Sequence, residues 1–451
     1  MNNDLSIYVH WPYCLSKCPY CDFNSHLSDA IDHNIWLTSY IRELEFFSSI
    51  ISNKQIKSVF FGGGTPSLMK PSVIAGILQK IAGLAIINDH TEITLEANPT
   101  SFEIEKFKEF KLAGINRVSI GVQALNEKDL IALGRKHNTA QAKKAIEVAS
   151  QLFPKSSFDL IYARSEQTLS DWQNELESAM ELTSGHISLY QLTIEKGTPF
   201  YKLFHDGTLT LPDSDLAADM YEYTTSYLSS KGYNRYEISN YAMQGHESIH
   251  NLAYWHYKNY LGIGPGAHSR VHQNYLGEKS APPPDRLNHK ELPNTNIAQP
   301  ITPRRFEEEI KEKTTANFDV PAGPSNIYRL SSSSEKSSSK DTLSVHSIMM
   351  WHKPEKWLKA VNDSGCGIQS FNKLTEQEIT EELLMMGLRL KNGICSNNLF
   401  QLTGSNISDV IDKKTAELYI NSGLLDWTSN NIRLTDKGLL LHSYLVPKLL
   451  A

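Results

Sequence analysis

The chain is poor in cysteine, in long apolar runs and in excess positive charge. Five cysteines among 451 residues do not suit a disulfide framework. No stretch reaches the ~20 apolar residues of a membrane span, and MNNDLSIYVH lacks the parts of a signal peptide. A formal net charge of −6 with scattered Lys and Arg gives no sign of a nucleic-acid-binding surface. We therefore expect a cytoplasmic globular protein of two or three domains.

Three of the five cysteines, Cys14, Cys18 and Cys21, are clustered in HWPYCLSKCPYCDFNSH. A structural zinc ion nearly always takes four ligands, and no second C-x-x-C follows, so His10 or His26 would have to complete a zinc site. An iron–sulfur cube has four irons and usually takes four cysteines, so three leave one iron open to a substrate or cofactor. The spacing favours an iron–sulfur site over zinc.

Short apolar runs alternate with amphipathic stretches such as 71–84 and 138–153. The strand candidates are 5–11, 56–64, 92–99, 117–123, 158–163 and 186–195. Strands that alternate with helices indicate right-handed crossovers and a parallel sheet. Six such units predict an α/β fold with a partial (β/α) barrel, whose chemistry lies at the C-terminal ends of the strands.

Polar residues follow the predicted strands where such a barrel would carry its site. Residues 62–66 read GGGTP, and a turn without side chains lets backbone N–H groups approach a polar ligand. Glu96, Gln123 and Asp159 close the third, fourth and fifth strands, and Arg135 follows in LGRKH. Each alone is typical of a solvated loop. Together they predict a ligand pocket, since carboxylates suit sugar hydroxyls and an arginine suits a carboxylate.

These motifs resemble the radical S-adenosylmethionine (SAM) superfamily, in the branch of oxygen-independent coproporphyrinogen III oxidase and the haem chaperone HemW. The resemblance lies in segments 5–25, 58–68, 92–99, 117–137 and 158–162. It implies a TIM-like partial (β/α)6 barrel and a [4Fe–4S] cluster, held by Cys14, Cys18 and Cys21, whose open iron binds SAM. The implied SAM contacts are Tyr8, Tyr20, Gly63, Gly64, Thr65, Glu96, Gln123, Arg135 and Asp159.

The sequence departs from this family in one loop. Where relatives usually continue DLIYGLPGQ, this chain reads DLIYARSEQ over residues 159–167. The loss of the family's glycines and proline means that the sequence does not predict the shape of this loop. The Asp159 side chain is retained.

Two features resemble the chaperone more than the oxidase. The oxidase typically has a fourth cysteine two residues after the third, and that position is Phe23 here. HNLAYW (250–255) matches an HNxxYW motif that is associated with haem binding in HemW. This resemblance implies that His250 is an axial haem ligand, although a histidine beside aromatic residues is also common in a hydrogen-bonded core. His268, in LGIGPGAHSR, a glycine-rich turn, is a second candidate.

The chain changes character after the predicted barrel. Residues 1–274 form that barrel with the haem motif, and 275–345 are Pro-, Ser- and charge-rich, which predicts a disordered insertion. Residues 346–451 form a C-terminal unit with helices at 375–394 and near 406–422 and a short hairpin, a winged-helix-like pattern. Because basic residues are sparse there, we expect a lid or partner surface and no nucleic acid.

The sequence thus predicts a cytoplasmic haem chaperone that binds a [4Fe–4S] cluster, SAM and haem. Its partners would be a haem acceptor protein, which could lie at a membrane, and an electron donor. The first alternative is the oxidase, which decarboxylates the propionates of coproporphyrinogen III. The second, of another class, is a zinc-stabilised scaffold.

Overall fold

The computed structural model describes residues 3–28, 30–276 and 344–450. One twelve-stranded sheet dominates it, and a two-stranded pair, β2 with β3, lies beside that sheet. The strands are β1 (Asp4–Trp11), β2 (Tyr13–Cys14), β3 (His26–Leu27), β4 (Gln55–Gly63), β5 (Glu92–Ala97), β6 (Arg117–Gln123), β7 (Lys155–Tyr162), β8 (His186–Gln191), β9 (Asn234–Glu237), β10 (Asn240–Ala242), β11 (Tyr260–Ile263), β12 (His268–His272), β13 (Val345–Met350) and β14 (Ile368–Lys373).

The strand order is β14-β13-β12-β11-β1-β4-β5-β6-β7-β8-β10-β9. In this order, the seven strands β11, β1, β4, β5, β6, β7 and β8 are neighbours and pair parallel. The outer strands on both sides pair antiparallel. Since β14 and β9 end the order without pairing to each other in the described residues, the sheet stays open. The α/β class and the partial barrel are confirmed, and all six predicted strands are present, as β1 and β4 through β8.

Helices connect the strands of the main sheet. They are α1 (His33–Phe46), α2 (Ser48–Ile51), α3 (Pro71–Leu84), α4 (Ser101–Glu105), α5 (Phe107–Leu112), α6 (Glu127–Ala132), α7 (Thr139–Leu152), α8 (Leu169–Met180), α9 (Pro199–His205), α10 (Ser214–Ser230) and α11 (Ile249–Trp255). Helix α3 begins with Pro71 at its first position and buries Ile74, Ile77 and Ile81, which recur at helical spacing. Helix α7 begins at a capping box of Asn138 and Gln141. Local signals therefore set both helices where the sequence predicts them.

The segment LGIGPGAHSR, predicted as a glycine-rich turn, contains two strands. Strand β11 pairs with β1 as a further parallel strand, and β12 pairs with β11 and β13. Only the residues between β11 and β12 form the turn. The prediction was incomplete because Leu261 and Ile263, the two fully buried side chains of β11, make too short an apolar run to mark a strand without its distant partner.

The chain after residue 343 first adds to the main sheet. Strands β13 and β14 extend it, and the helix Pro354–Ser364 between them stacks Trp357 on Trp36 of α1 with ring centroids 5.4 Å apart. The sequence prediction assigned these residues to the C-terminal unit. Of the predicted insertion 275–345, residues 277–343 lie outside the described residues, while Tyr275 and Val345 at its two ends are buried.

The C-terminal part has its own apolar core, which includes Leu383, Leu399 and Leu445. Its helices are Glu376–Gly387, Ser396–Thr403, Ile407–Val410, Lys413–Asn421, Asp436–Leu440 and His442–Leu449, and its strands are β15 (Ile394–Cys395), β16 (Leu425–Trp427) and β17 (Asn431–Leu434). The order β15-β17-β16 gives a small antiparallel sheet that contains the predicted hairpin. In the part of the chain that the structure describes, no helix has the length and apolar character needed to span a membrane.

Candidate functional site

A cavity of about 500 Å³ opens at the C-terminal ends of the parallel strands. Its wall contains the three clustered cysteines and residues from the ends of five successive strands, β4 through β8. The predicted ligand-contacting residues in this wall are Tyr20, Gly63, Gly64, Thr65, Glu96, Gln123, Arg135 and Asp159. These residues are far apart in sequence, and they meet here because each follows the C-terminal end of a parallel strand.

The barrel contacts the cysteine loop at two of its cysteines. Cys14 ends β2, and the Thr65 hydroxyl donates to its Sγ at 3.4 Å. Arg135 Nη1 donates to Cys18 Sγ, also at 3.4 Å. All three cysteines are free thiols that line the cavity, and burial raises the pKa of Cys14 and of Cys21. A cation and a hydroxyl beside the sulfurs suit thiolates that bind a metal cluster.

The glycine turn is needed for close packing, not only for flexibility. Gly63 has a φ of +112°, and a Cβ on it would lie 2.5 Å from the His10 ring. A Cβ on Gly64 would lie 2.7 Å from the Tyr13 carbonyl oxygen, because the Thr65 N–H donates to that oxygen at 2.8 Å. Side chains here would push the turn away from the cysteine loop.

The two carboxyls in the cavity are buried. Burial raises the pKa of Glu96 to about 8, with a further contribution from the charge of Asp159, and the Gly63 N–H, 3.2 Å from Oε2, opposes the shift. Burial raises the pKa of Asp159 to about 6, against hydrogen bonds from Ser188 and Ser119. Glu96 thus holds its proton at neutral pH when the cavity contains no ligand.

Some polar atoms in the cavity have no hydrogen-bond partner among the described residues. They are Gln123 Oε1 and Arg135 Nε, both fully buried. Gln123 has a φ of +76°, an unfavourable conformation for a residue with a side chain. Buried polar atoms without partners and a strained backbone are typical of a site shaped for a ligand.

Comparisons with known proteins identify the family. The Radical SAM superfamily model matches residues 8–179, and the HemN C-terminal domain model matches residues 374–441. Radical S-adenosyl methionine domain-containing protein 1, mitochondrial, of Danio rerio is 33% identical over 451 residues, which cover 99% of this chain and 87% of that protein. This chain belongs to the radical SAM superfamily. Membership implies a [4Fe–4S] cluster and SAM as its ligands.

Further comparisons narrow the branch. The heme chaperone HemW of Escherichia coli is 40% identical over 269 residues, 59% of this chain and 70% of HemW. HemW of Haemophilus influenzae is 42% identical over 275 residues, again 59% and 70%. The structure of coproporphyrinogen III oxidase (HemN) from E. coli matches with a TM-score of 0.67 at 16% identity, over 99% of this chain and 90% of the oxidase. The chain therefore has the HemN fold and lies in the HemN-like branch, most like HemW.

The cavity fits the two groups that the family implies. Three thiols with an adjacent cation suit a cluster with one open iron, and unpartnered Gln123 Oε1 and Arg135 Nε offer an acceptor and a donor to the polar groups of SAM. Glu96 and Asp159 offer acceptors for ribose hydroxyls. These assignments to individual residues stay predictions.

Tyr8 is a predicted SAM contact that lies outside the described cavity wall. Its hydroxyl is 3.0 Å from His10 Nδ1, and its ring stacks on Phe60 with centroids 6.2 Å apart. Burial raises its pKa well above the usual value. In this structure Tyr8 packs on β1 beside the cavity, where it contacts His10 and Phe60.

Sequence reasoning missed Asn98, which connects the strand-end residues to one another. Its Oδ1 accepts from Arg135 Nη2 at 2.5 Å, and its Nδ2 donates to Thr65 Oγ1 at 3.1 Å. Buried Glu103 accepts from the Asn98 backbone N–H at 2.7 Å. A polar residue one position beyond β5 was the available signal, in the same strand-end pattern as Glu96.

The loop DLIYARSEQ has a left-handed backbone at two residues that are not glycine. Ala163 and Glu166, at the positions where relatives usually have glycine, have φ of +54° and +59°. Arg164 forms ion pairs with Asp129 at 2.6 Å and Glu175 at 2.5 Å. The loop therefore adopts a left-handed backbone and is held by buried charges.

His250 is a core residue in this structure. Its side chain is 1% exposed, Nδ1 lies 2.8 Å from Ser58 Oγ, and Nε2 lies 2.9 Å from Tyr254 Oη. Phe60 stacks on the ring at 4.8 Å, and burial lowers the pKa of His250 to about 3. Both nitrogens are engaged, so the predicted axial role would require α11 to open. His268, by contrast, begins β12 with an exposed side chain.

The zinc alternative requires His10 or His26 to lie beside the cysteines, as the fourth ligand of one metal ion. His10 is buried, with Nδ1 on the Tyr8 hydroxyl and Nε2 on the Asn24 carbonyl oxygen at 2.9 Å. Within residues 3–28, 30–276 and 344–450, no three His, Cys, Asp or Glu side chains come close enough to share one metal ion. Neither His10 nor His26 completes such a site with the cysteines here.

Proposed function

We propose that the protein is a haem chaperone, which holds a [4Fe–4S] cluster and SAM at the strand-end cavity and passes haem to an acceptor protein. The observation that carries this proposal is the composition of one wall, in which Cys14, Cys18 and Cys21 stand with Phe23 where the oxidase has a further cysteine. Similarity to proteins named heme chaperone HemW supports the haem part.

Each residue at the cavity has a role that its chemistry suits. The three thiolates hold the cluster, which supplies single electrons to SAM when both are bound. The Arg135 guanidinium neutralises the SAM carboxylate next to Cys18. Glu96 and Asp159 accept hydrogen bonds from ribose hydroxyls, which favours their charged forms and lowers the raised pKa of each carboxyl.

The proposed setting is the cytoplasm, with an acceptor protein and an electron donor as partners. The Danio rerio relative is described as mitochondrial, so the compartment is part of the proposal. Fluorescence microscopy of the tagged full chain in its own cells tests it. Signal confined to an organelle would contradict the cytoplasmic assignment.

The proposed function is tested by two assays on one anaerobic, cluster-loaded preparation. Haem titration should give saturable binding with a Soret band, and coproporphyrinogen III with SAM and a reductant should give no protoporphyrinogen. Bound haem should then move to an apo-haemoprotein such as apomyoglobin. Repeated turnover of coproporphyrinogen together with absent haem binding would replace the proposal with the oxidase alternative.

A further inference from the structure

The side-chain amide of Asn98 lies between two residues that each donate a hydrogen bond to a cysteine sulfur. Asn98 is one position beyond the end of β5 and lines the cavity. Its Oδ1 accepts from Arg135 Nη2 at 2.5 Å, and its Nδ2 donates to Thr65 Oγ1 at 3.1 Å. Arg135 Nη1 in turn donates to Cys18 Sγ. The Thr65 hydroxyl donates to Cys14 Sγ. One amide therefore joins the partners of two clustered cysteines.

The guanidinium of Arg135 fixes the orientation of this amide. A guanidinium has only donors, so the Asn98 atom that faces it must be the oxygen, and the NH2 group must face Thr65. An amide NH2 group only donates, so Thr65 Oγ1 must accept. The hydroxyl hydrogen is then left to point at Cys14 Sγ, 3.4 Å away. Asn98 thus sets the direction of the Thr65 hydroxyl.

The same amide directs the Arg135 guanidinium. Nη2 donates to Asn98 Oδ1 and to the Gly121 carbonyl oxygen at 2.6 Å, which uses both of its hydrogens. Nη1 is left to donate to Cys18 Sγ, 3.4 Å away. Because two fixed oxygens hold the planar guanidinium, it loses little further freedom when it donates to a thiolate.

A buried carboxyl holds Asn98 and the glycine turn in the same place. Glu103 is 0% exposed, and it accepts from the Asn98 backbone N–H at 2.7 Å. It also accepts from the hydroxyl of Ser67, two positions after Thr65. The amide of Asn98 and the hydroxyl of Thr65 therefore keep their relative position through a shared contact in the folded chain.

We infer that Asn98 is a positioning residue that sets the reduction potential of the cluster through Thr65 and Arg135. The inference rests on the proposed function, which places a [4Fe–4S] cluster at the three cysteines. Reduction adds one electron, supplied by the proposed donor protein, and so adds negative charge. A hydrogen bond to a cluster sulfur stabilises that charge and raises the potential. Asn98 acts by directing one donor toward Cys14 and another toward Cys18.

Only an amide serves both sides of this arrangement. Asn98→Asp keeps an acceptor for Arg135 but has no hydrogen to give to Thr65. The Thr65 hydroxyl would then donate to the new carboxylate and leave Cys14. Asn98→Leu, of similar shape, directs neither donor. The hydroxyl of Ser25 also lowers the pKa of Cys14, so this sulfur keeps one donor in both variants.

The test is a redox titration of the full chain after anaerobic reconstitution, followed by EPR, with iron counted in every variant. The potential should be more negative in Asn98→Leu than in the wild type, by about threefold or more in the one-electron reduction equilibrium. Asn116→Leu is the matched control. Asn116 is also half-buried and bonds through both ends of its amide, to Ile93 and Thr91, but it does not line the cavity. Its variant should keep the wild-type potential.

A double-mutant cycle with Thr65 separates the hydrogen bond from the added charge. The negative charge of Asn98→Asp lowers the potential in any background, but the variant redirects a hydroxyl only where Thr65 is present. The shift caused by Asn98→Asp should therefore be larger in the wild-type background than in Thr65→Val. Thr65→Ser, which keeps the hydroxyl, should have the wild-type potential.

Three results would overturn the inference. They are an unchanged potential in Asn98→Leu with its iron complete, an equal shift in Asn116→Leu, and equal shifts of Asn98→Asp in the two Thr65 backgrounds. If Asn98→Leu loses its iron, the cycle with Asn98→Asp decides. A wild type that holds no iron–sulfur cluster would instead contradict the proposed function.

Discussion

At the scale of single residues, the cavity contains two carboxyl groups whose burial disfavours their charged forms. Glu96 and Asp159 are buried carboxyls, and the charge of Asp159 adds to the raised pKa of Glu96. Arg135 lies at the sulfur of Cys18. Such clusters are typical of sites that are completed by a ligand. Their electrostatics can be measured both with and without cofactors.

The pH dependence of stability reports Glu96 in the protein without cofactors. Its pKa is about 8 in the folded state and 4.5 when exposed, so between these values the folded protein keeps a proton that the unfolded chain has lost. The contribution of Glu96 is therefore fully present below pH 4.5 and is lost as the pH rises through 8.

In the wild type, we expect the free energy of unfolding by urea to fall between pH 5 and pH 8. The fall should be smaller in Glu96→Gln, which lacks the titrating carboxyl group. Other groups titrate in this window, so the comparison between variants carries the result. Glu45→Gln, on the exposed face of α1, is the control and should fall as the wild type does. An identical fall in Glu96→Gln would mean that the carboxyl is not desolvated.

Arg135 should contribute directly to SAM affinity. Arg135→Ala removes a charged hydrogen bond and should weaken SAM binding by about 1.5–3 kcal/mol, measured by anaerobic calorimetry on protein with a full complement of iron. Arg42→Ala, which removes a surface contact to Asn362, is the matched control. Equal affinities for SAM in the two variants would place the SAM carboxylate elsewhere.

At the scale of elements, the loop after β7 has non-glycine residues at two left-handed positions. Ala163 and Glu166 keep the left-handed backbone that glycine adopts more easily. The structure therefore stores strain in this loop, which the ion pairs of Arg164 hold in place.

Replacing Ala163 with glycine should stabilise the protein. The left-handed conformation costs about 1–2 kcal/mol for a residue with a Cβ, while glycine loses about 0.5–1 kcal/mol through the greater freedom of the unfolded chain. We expect a net gain of about 0.5–1 kcal/mol in urea unfolding. Ala132→Gly, in helix α6, is the control and should lose about as much. A destabilised Ala163→Gly would show that the methyl group packs usefully.

The elements that the sequence predicted were those marked by local signals. The six strands of the barrel have apolar runs between turn residues, and α3 and α7 have helical periodicity with clear starts. Strands β11, β13 and β14 were missed as strands because their partners are far away in sequence, as β1 is for β11. The burial of His250 and Tyr8 depends on such long-range packing, so their surroundings were not predictable either.

At the scale of the whole molecule, charged groups join the C-terminal part to the barrel sheet. Arg270 of β12 binds Glu382 through two hydrogen bonds, of 2.8 and 2.5 Å, and the Tyr257 hydroxyl donates to the same carboxylate at 2.6 Å. Arg389 pairs with buried Glu237 at 3.0 Å. The family-typical barrel and C-terminal domain thus share one partly buried polar interface.

Removing one partner at this interface should destabilise the whole protein. Glu382→Ala leaves Arg270 and Tyr257 without their acceptor, and we expect a loss of about 1.5–3 kcal/mol in the free energy of unfolding. Glu381→Ala, on the same helix and bonded to Gln377, should cost much less. Equal losses in the two variants would mean that the interface contributes little.

The central claim is that three cysteines hold a four-iron cluster whose open iron is reached by SAM. The most direct measurement is EPR spectroscopy of the reduced protein after anaerobic reconstitution, with metal analysis of the same sample. The account predicts about four irons per chain and a spectrum that changes when SAM is added, both lost in Cys18→Ala. Stoichiometric zinc without iron, or a spectrum indifferent to SAM, would contradict it.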